Sequence, residues 1–182
     1  MEAVTTLPYG RPLTVADLDL MPDDGHTYEL IDGTLIVSPA PGLRHQLAHA
    51  ALMKLLMDAC PDDLRVISAP FQVTLADDTG VQPDLLVAPL EAFSKRDLPG
   101  APTLVVEILS PSTRMIDLNV KRSRYERAGV PSYWIVDPLE PRLLVSELID
   151  GEYVEVADLA GGQQWTASLP FVVTIVPDDL VG

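Results

Sequence analysis

The sequence has very little cysteine: Cys60 is the only one in 182 residues. A single cysteine excludes an internal disulfide and is typical of proteins from a reducing compartment. Cys60 ends a segment with helical spacing of apolar residues and has no recognisable catalytic neighbours, which favours a packing role for its thiol. We therefore assign no redox or nucleophilic chemistry to this residue.

Long apolar runs and targeting signals are also missing. No stretch of about 18 apolar residues occurs, so we expect no membrane span and no membrane partner. The first residues, MEAVTTLPYGRPLT, lack the basic start and the apolar core of a secretory signal, and we expect a cytoplasmic protein. With 47% hydrophobic residues the chain can build a sizeable core, and we expect one domain over residues 1–182.

Basic residues are scarce, with 12 Lys and Arg against 27 Asp and Glu, for a net charge of −15. Such a charge opposes binding to the phosphate backbone of nucleic acids. The distribution is uneven, because the segment RMIDLNVKRSRYER contains Arg114, Lys121, Arg122, Arg124 and Arg127. The common interpretation of such a cluster is an exposed helix face. Its place directly after an unusual apolar strand also makes it a candidate nucleic-acid surface.

The rest of the pattern alternates strands and helices. Asp-Gly pairs between apolar runs predict β-hairpins in TYELIDGTLIV and LLVSELIDGEYVEV. We expect an amphipathic helix over LRHQLAHAALMKLLMDAC and a second helix from Ser112 or Thr113 to about Ala128, ended by Gly129. On its packed face the first helix presents Leu47, Ala48, Ala51, Leu52, Leu55, Leu56 and Ala59. This order predicts an α/β fold with a mixed sheet flanked by helices.

One carboxylate stands inside an apolar strand. In TLVVEILS, Leu104, Val106 and Ile108 alternate with Val105, Glu107 and Leu109, so both faces of the strand are apolar. A strand that is apolar on both faces belongs to the centre of a covered sheet. An unpaired charge there costs several kcal/mol or more, so Glu107 must be paired, protonated, bound to a metal or directed into a cleft.

A second carboxylate, Asp84, starts the apolar strand of VQPDLLVAP. Pro83 denies that end of the strand one ladder hydrogen bond and places it at a sheet margin. If this strand and that of Glu107 are neighbours, Asp84 and Glu107 face the same cleft. Two close carboxylates repel unless a cation lies between them, and the hard oxygen-seeking ions Mg²⁺ and Mn²⁺ suit that position.

Two further residues could join this pair. Glu29, in TYELIDG, could approach the same cleft or face solvent. Lys121 lies four residues after Asp117, and from spacing alone an ordinary exposed i, i+4 ion pair is the favoured interpretation. The functional alternative gives Lys121 the task of positioning a water nucleophile or stabilising the transition state.

The segments YELIDGTLIVSPAP, VQPDLLVAP, APTLVVEILSPST and DLNVKRSRYERAGVPSYWIVDP, in that order, resemble the Uma-two family of endonucleases over about residues 9 to 175. The resemblance implies a restriction-endonuclease-like PD-(D/E)XK fold with additional β-hairpins. It also implies an enzyme that acts on DNA. It implies that Pro83-Asp84 is the PD element, that Glu107 is the second acid, and that Glu29 approaches the same metal. The core would span about 26–138, between an N-terminal extension, 1–25, and a C-terminal hairpin and strand, 139–182.

The sequence departs from the nuclease signature at one place. The signature has a lysine two residues after the second acid, where this chain has Leu109. The family resemblance implies that the lysine comes from the following helix, which makes it Lys121. The predicted catalytic residues are therefore Asp84, Glu107, Lys121 and Glu29, with Arg114, Arg122 and Arg124 as DNA contacts.

Three functions follow from these observations, in decreasing order of preference. The first is a Mg²⁺- or Mn²⁺-dependent phosphodiesterase acting on DNA, with a homodimer as the expected assembly. The second is a non-catalytic module that uses the nuclease fold to bind a protein or a nucleotide, which the net charge and the displaced lysine favour. The third is a zinc hydrolase using His45 and His49, whose i, i+4 spacing suits zinc but which have no evident third ligand.

Overall fold

The computed structural model describes residues 10–181. The first nine residues of the predicted N-terminal extension and the last residue, Gly182, lie outside the described residues. The helical elements are α1 (Val15–Leu18), α2 (Leu43–Ala59), a 3₁₀ turn at Leu90–Ala92, a π-helical segment at Ile116–Lys121, α3 (Arg122–Ala128) and a 3₁₀ turn at Pro177–Leu180. Within residues 10–181 no helix is long and apolar enough to cross a membrane.

The strands form three sheets. In chain order they are β1 (Thr27–Ile31), β2 (Thr34–Ser38), β3 (Leu64–Ser68), β4 (Gln72–Ala76), β5 (Thr79–Val81), β6 (Leu85–Pro89), β7 (Asp97–Pro99), β8 (Leu104–Ile108), β9 (Ser132–Asp137), β10 (Arg142–Ile149), β11 (Glu152–Ala160), β12 (Trp165–Ala167) and β13 (Val173–Ile175). The larger sheet has the order β11-β10-β9-β8-β6-β3, the second β2-β1-β5-β4-β7, and β12 pairs with β13.

The six-stranded sheet is mixed, as the sequence predicts. Its strands pair in antiparallel fashion except for β8 and β9, which are parallel and are joined through the π-helical segment and α3. Strand β8 lies inside the sheet between β9 and β6. The predicted mixed α/β fold and the central position of the Glu107 strand are thus confirmed.

The alternation of side chains along β8 separates two hydrophobic cores. Leu104, Val106 and Ile108 pack towards α2 and the C-terminal strands. Val105 and Leu109 pack on the opposite face, in a core shared with α3 and the five-stranded sheet. Because side chains in a strand alternate with period two, Glu107 belongs to this second face. The sheet therefore lies between the two cores, and the Glu107 side chain faces α3 rather than α2.

Helix α2 covers the first face. The residues it buries are spaced three or four apart, which gives one face of a helix: His45, Ala48, Leu52 and Leu56. Leu47, which the pattern places on the packed face, is instead 46% exposed. It lies off the buried row by one residue, so the apolar pattern of this helix is wider than the face that the sheet covers.

Both predicted Asp-Gly hairpins are confirmed. Asp32 and Gly33 connect β1 to β2, and Asp150 and Gly151 connect β10 to β11. All four residues have positive φ, between 48° and 88°, which Asp tolerates and Gly adopts freely. Each hairpin supplies an edge strand, β2 to the smaller sheet and β11 to the larger.

The helix predicted after β8 differs from a regular α-helix. A turn at residues 111–113 leads into a short helical start, and Ile116–Lys121 is π-helical before α3 continues to Ala128. Gly129 ends α3 with φ 81°, as expected for a left-handed C-terminal residue. A π-helix holds more residues per turn than an α-helix, so the side chains before α3 have a different phase from the one that an α-helical pattern predicts.

Candidate active site

Asp84 and Glu107 lie on adjacent strands at the same edge of the large sheet. Leu85 pairs with Val106 across β6 and β8, which places the two acids next to each other in the ladder. The backbone N–H of Ile108 donates to Asp84 Oδ2 at 2.7 Å. Both acids line one cavity of about 320 Å³. The predicted neighbourhood of the two strands, on which the shared cleft depends, is therefore present.

Two more acids reach the same cavity from other elements. Glu29 comes from β1 of the second sheet and accepts a hydrogen bond from the backbone N–H of Gln82 at 2.7 Å. Asp117 comes from the π-helical segment. Both side chains are buried, as is that of Glu107. The acid cavity is thus lined by four acids, which come from β1, the start of β6, β8 and the π-helical segment.

Lys121 lies at the centre of these acids. Its Nζ is 3.0 Å from Glu29 Oε1, 3.1 Å from Glu107 Oε1 and 3.6 Å from Asp117 Oδ1, and its side chain is only 5% exposed. The hydroxyl of Tyr125 donates to Glu107 Oε1 at 2.8 Å. The favoured interpretation of Lys121 as half of an exposed helix ion pair is therefore wrong. The closed half of the site consists of Glu29, Glu107, Asp117 and Lys121.

The closed half contains three carboxyls and one cation. Burial raises the pKa of Glu107 well above its ordinary range, although Lys121 opposes this shift. Burial also raises the pKa of Asp117. For Lys121, burial lowers the pKa, but Glu107, Glu29 and Asp117 together raise it well above its ordinary value. These shifts favour the charged form of Lys121 and make Glu107 and Asp117 bind a proton more tightly than free carboxyls do.

Asp84 forms an open half with two histidines of α2. His45 Nε2 is 3.1 Å from Asp84 Oδ1, and His49 Nε2 is 3.2 Å from the backbone oxygen of Asp84. The Asp84 side chain is 20% exposed, against 4% for Glu107. His45 is buried, and its Nδ1 has no hydrogen-bond partner. The two histidines considered as zinc ligands are thus directed at Asp84 instead.

The donor atoms suit a hard divalent ion, but some of them already form ion pairs with Lys121. Carboxylate oxygens are the ligands that Mg²⁺ and Mn²⁺ prefer, and Asp117 Oδ1 is buried without a hydrogen bond. Over residues 10–181, no group of three or more His, Cys, Asp and Glu side chains is arranged to hold a metal ion. Nζ of Lys121 occupies the place between the acids of the closed half. An ion would therefore be held on the Asp84 side, between Asp84 and Glu107.

The structure places the three arginines predicted to contact DNA away from this cavity. Arg114 pairs with Asp137. Arg122 Nη2 donates to the backbone oxygen of Tyr153 at 3.1 Å, and its guanidinium lies 5.4 Å from the centre of that ring. None of the predicted arginines is among the residues that line the acid cavity.

Arg124 is the most enclosed of the three. It is 9% exposed, and its Nε lies 3.2 Å from both Thr79 Oγ1 and Asp32 Oδ1. Together with Lys121 it shows that the helix after β8 presents part of its charge to the interior. The exposed-face interpretation of the basic segment is therefore wrong for these two residues.

Two contributors to the site were not identified from the sequence. Asp117 was considered only as a surface partner of Lys121, and its four-residue spacing from Lys121 was the one available signal. The spacing of His45 and His49 predicts zinc binding, and nothing in the sequence connects His45 to Asp84. Both were missed because their roles depend on how α2 and the π-helical segment dock against the end of the sheet.

Comparisons with known proteins agree with this architecture. A family model described as "Uma2: Putative restriction endonuclease" matches residues 15–176. A crystal structure described as a putative nuclease belonging to DUF820, from Anabaena variabilis ATCC 29413, is similar with a TM-score of 0.75 and 19% identity, over 93% of this chain and 98% of that chain. No curated protein matches the chain. The expected restriction-endonuclease-like fold is confirmed by this structural likeness.

Proposed function

Since the chain belongs to the Uma2 family, whose model covers most of its length, we propose that it is an endonuclease that hydrolyses DNA phosphodiester bonds with Mg²⁺ or Mn²⁺. The observation that carries this proposal is the convergence of Asp84, Glu107, Glu29 and Lys121 on one cavity from four separate elements. Burying several acids together is costly for folding, and ionisable groups gathered in one cavity are typical of sites of chemistry.

In this proposal Asp84 and Glu107 hold the metal ion, with Glu29 completing the site. A bound divalent ion would supply a Lewis acid for the scissile phosphate and a more acidic water molecule. Asp84 is suited to the task because its carboxylate is fixed by the N–H of Ile108 and by His45, and because it is the more accessible of the two acids. Fixed ligands lose little conformational entropy when an ion binds.

Lys121 has a different task. Its ammonium group is held by Glu29 and Glu107, close to the place where the attacking water and the phosphate would meet. A buried cation can orient that water and stabilise the negative charge that develops on the phosphate. Glu29 also positions Lys121. Its Oε1 accepts a hydrogen bond from the N–H of Gln82, which fixes the carboxylate that binds Nζ.

The partners of the protein remain predictions. Arg114, Arg122 and Arg124 are proposed to contact DNA phosphates, although each already has a partner within the protein. Arg114, with a side chain 46% exposed, is the most available of them. A homodimer would bring two acid sites to one DNA molecule, and a cytoplasmic location would give access to it.

Cleavage assays with a matched pair of variants test the proposal. The protein should cut DNA when Mg²⁺ or Mn²⁺ is added and not in EDTA. Glu107→Gln should abolish cutting while the circular dichroism spectrum is unchanged, because the amide keeps the shape of the side chain and loses its charge. The control is Glu155→Gln, at an exposed position of β11, which should cut like the wild type. Equal cutting by both variants would refute the proposal.

A second candidate function is a non-catalytic module that binds a protein or a nucleotide. The observation that favours it is the position of Lys121, whose ammonium group already neutralises part of the acid cluster. Isothermal titration with Mn²⁺ separates the two candidates. Binding that is lost in both Asp84→Asn and Glu107→Gln supports the nuclease, whereas no Mn²⁺ binding, combined with no cleavage of single-stranded, duplex or branched DNA, supports the module.

A further inference from the structure

A second cavity of about 580 Å³ continues from the acid cavity. The two share part of their walls, including Thr27, His45, Gln82 and Asp84. The second cavity extends from there along β1 and the segment before it, past His26 and Tyr28, to Gln72 on β4. A group bound in the second cavity would therefore be a direct neighbour of the atoms at Asp84.

The walls of this second cavity combine apolar and polar groups. Among the described residues that line it there is no Lys or Arg, and in the acid cavity Lys121 is the only one. The polar groups are instead amides, imidazoles and a phenol, carried by Gln46, Gln72, Gln82, His26, His49 and Tyr28, and Asp19 and Asp23 lie in the wall. Carboxylates repel phosphate, so this cavity does not suit a DNA backbone.

The same groups suit a nucleobase. Amide and carboxylate side chains match the donors and acceptors on base edges, and an aromatic ring provides a surface on which a base can stack. Tyr28 is held in place, since its hydroxyl donates to Asp24 Oδ2 at 2.9 Å and its ring meets that of His26 edge-on. Ligand cavities of about 300–1,000 Å³ bury most of a small molecule, and this one falls within that range.

Cations reappear beyond the second cavity. A third cavity shares Asp19 and Gln72 with the second and is lined by Lys95 and Arg96, the latter held by Asp19 at 2.9 Å. The order along the three cavities is thus Lys121, a stretch without Lys or Arg, then Lys95 and Arg96.

We propose that the second cavity receives one unpaired nucleobase next to the scissile phosphate, so that the substrate is DNA with an unpaired nucleotide rather than a fully paired duplex. This inference rests on the proposed nuclease function for its choice of DNA. A base inside a duplex cannot enter a cavity without leaving the stack, and a base that is already unpaired avoids that cost.

Equilibrium binding tests the inference without relying on cleavage. The probes are two DNA hairpins in Ca²⁺ at one salt concentration, one fully paired and one with a single bulged 2-aminopurine. Fluorescence anisotropy should show about tenfold tighter binding of the bulged hairpin, which is the size of one stacking contact. The 2-aminopurine emission should change on binding as the base enters the cavity.

Variants locate the effect. Tyr28→Ala should remove most of the preference for the bulge and leave binding of the paired hairpin unchanged. Gln46→Ala, at an exposed position in the wall, should reduce the preference by a smaller factor. It tests the cavity independently if Tyr28→Ala does not fold. The matched control is Gln164→Ala, an exposed glutamine outside the three cavities, which should change nothing.

The possible outcomes separate this inference from the proposed function. Equal affinity for the two hairpins, or no affinity for either, overturns the base cavity. A bulge preference that is lost in Tyr28→Ala, without any cleavage in Mg²⁺, retains the base cavity and refutes the nuclease. Cleavage of both hairpins at equal rates with equal affinity retains the nuclease and refutes the base cavity.

Discussion

The closed and open halves of the acid site balance their charge in opposite ways. In the closed half, Lys121 lies within 3.0–3.6 Å of three acids and every side chain is buried. In the open half, Asp84 is bound by the Ile108 N–H and by the His45 imidazole, and its side chain is partly exposed. The closed half thus contains its own cation, whereas the acid of the open half is the more accessible to solvent.

This difference shows how one site can satisfy both folding and function. An internal cation lets three acids be buried together in the absence of any metal, because it offsets part of their mutual repulsion. On the proposed function, the fourth acid, Asp84, is the one that an ion or a substrate would meet first, because it is the most exposed of the four. Variants that alter one half at a time distinguish these two roles.

The largest effect is expected from Lys121→Ala, which removes the cation of the closed half. The free energy of unfolding should fall by about 3–5 kcal/mol, because buried carboxyls lose their partner. Mn²⁺ affinity should hold or increase, since a positive charge near the ion is lost, while turnover falls. Urea denaturation measures the stability change, with Lys95→Ala, an exposed lysine, as the control. A loss below about 1 kcal/mol would mean that Lys121 behaves as a surface ion pair.

The next effect concerns the open half. His45→Ala should weaken Mn²⁺ binding by about 10–100-fold, the usual cost of losing a residue that orients a metal ligand. His45→Gln should restore most of the affinity, because the glutamine amide can donate to Asp84 in place of the imidazole. Titration calorimetry gives both values. If His45→Ala and His45→Gln are equally impaired, the imidazole does more than orient Asp84.

A smaller effect is expected from pH, and it belongs to the closed half. The raised pKa of Glu107 means that the folded state binds a proton more tightly than the unfolded state. Its contribution to stability is complete below the ordinary pKa of 4.5 and is lost as the pH rises through the higher folded value. The metal-free protein should therefore lose stability as the pH rises above about 5, by at most about 1.4 kcal/mol per pH unit for one proton.

Two variants identify the carboxyl responsible for that slope. Glu107→Gln should flatten the dependence of the melting temperature on pH and raise the melting temperature of the metal-free protein slightly at neutral pH. Asp84→Asn, in the open half, should leave the slope in place. A slope that persists in Glu107→Gln would assign the proton to another group, of which Asp117 is the first candidate because burial raises its pKa as well.

The smallest effect lies outside both halves. Arg127 pairs with Asp32 at 2.6 Å, and both side chains are about half exposed. Arg127→Ala should lower the free energy of unfolding by less than about 1 kcal/mol, as is usual for exposed ion pairs, and should leave Mn²⁺ affinity unchanged. Thermal unfolding and calorimetry of the same sample test both statements. A large change in Mn²⁺ affinity would show that the ion pair of Arg127, in α3, affects the geometry of the acid site.

The elements of the fold could be predicted where the signal is local. The two hairpins depend on Asp-Gly pairs, and the central strand depends on an apolar run with one acid, Glu107. The neighbourhood of Asp84 and Glu107 was predicted on the condition that their two strands are neighbours, and β6 and β8 do pair. For the hairpins and the central strand the information lies within a few consecutive residues, because turn geometry and side-chain alternation are local.

The charges of the site could not be predicted in the same way. The sequence places Lys121 on an amphipathic helix, where an exposed ion pair is the usual outcome, and the burial of its ammonium group depends on the π-helical segment before α3. That segment changes the phase of Asp117 and Lys121 relative to an α-helix, and no sequence pattern marked it. The contact between His45 and Asp84 likewise depends on the docking of α2 against the sheet, which brings together residues distant in the chain.

The repeated LIDG turns have a consequence for how the chain reaches its native state. Each turn joins two strands that are adjacent in sequence, and each hairpin forms an edge of a different sheet. Isolated hairpins close in about 1–10 μs, whereas the parallel pairing of β8 with β9 must wait for the intervening helix to form and for a longer loop to close. We expect folding to begin at both margins and the acid cluster to be assembled last. Pulsed hydrogen exchange during refolding would then protect the amides of β10 and β11 before those of β8.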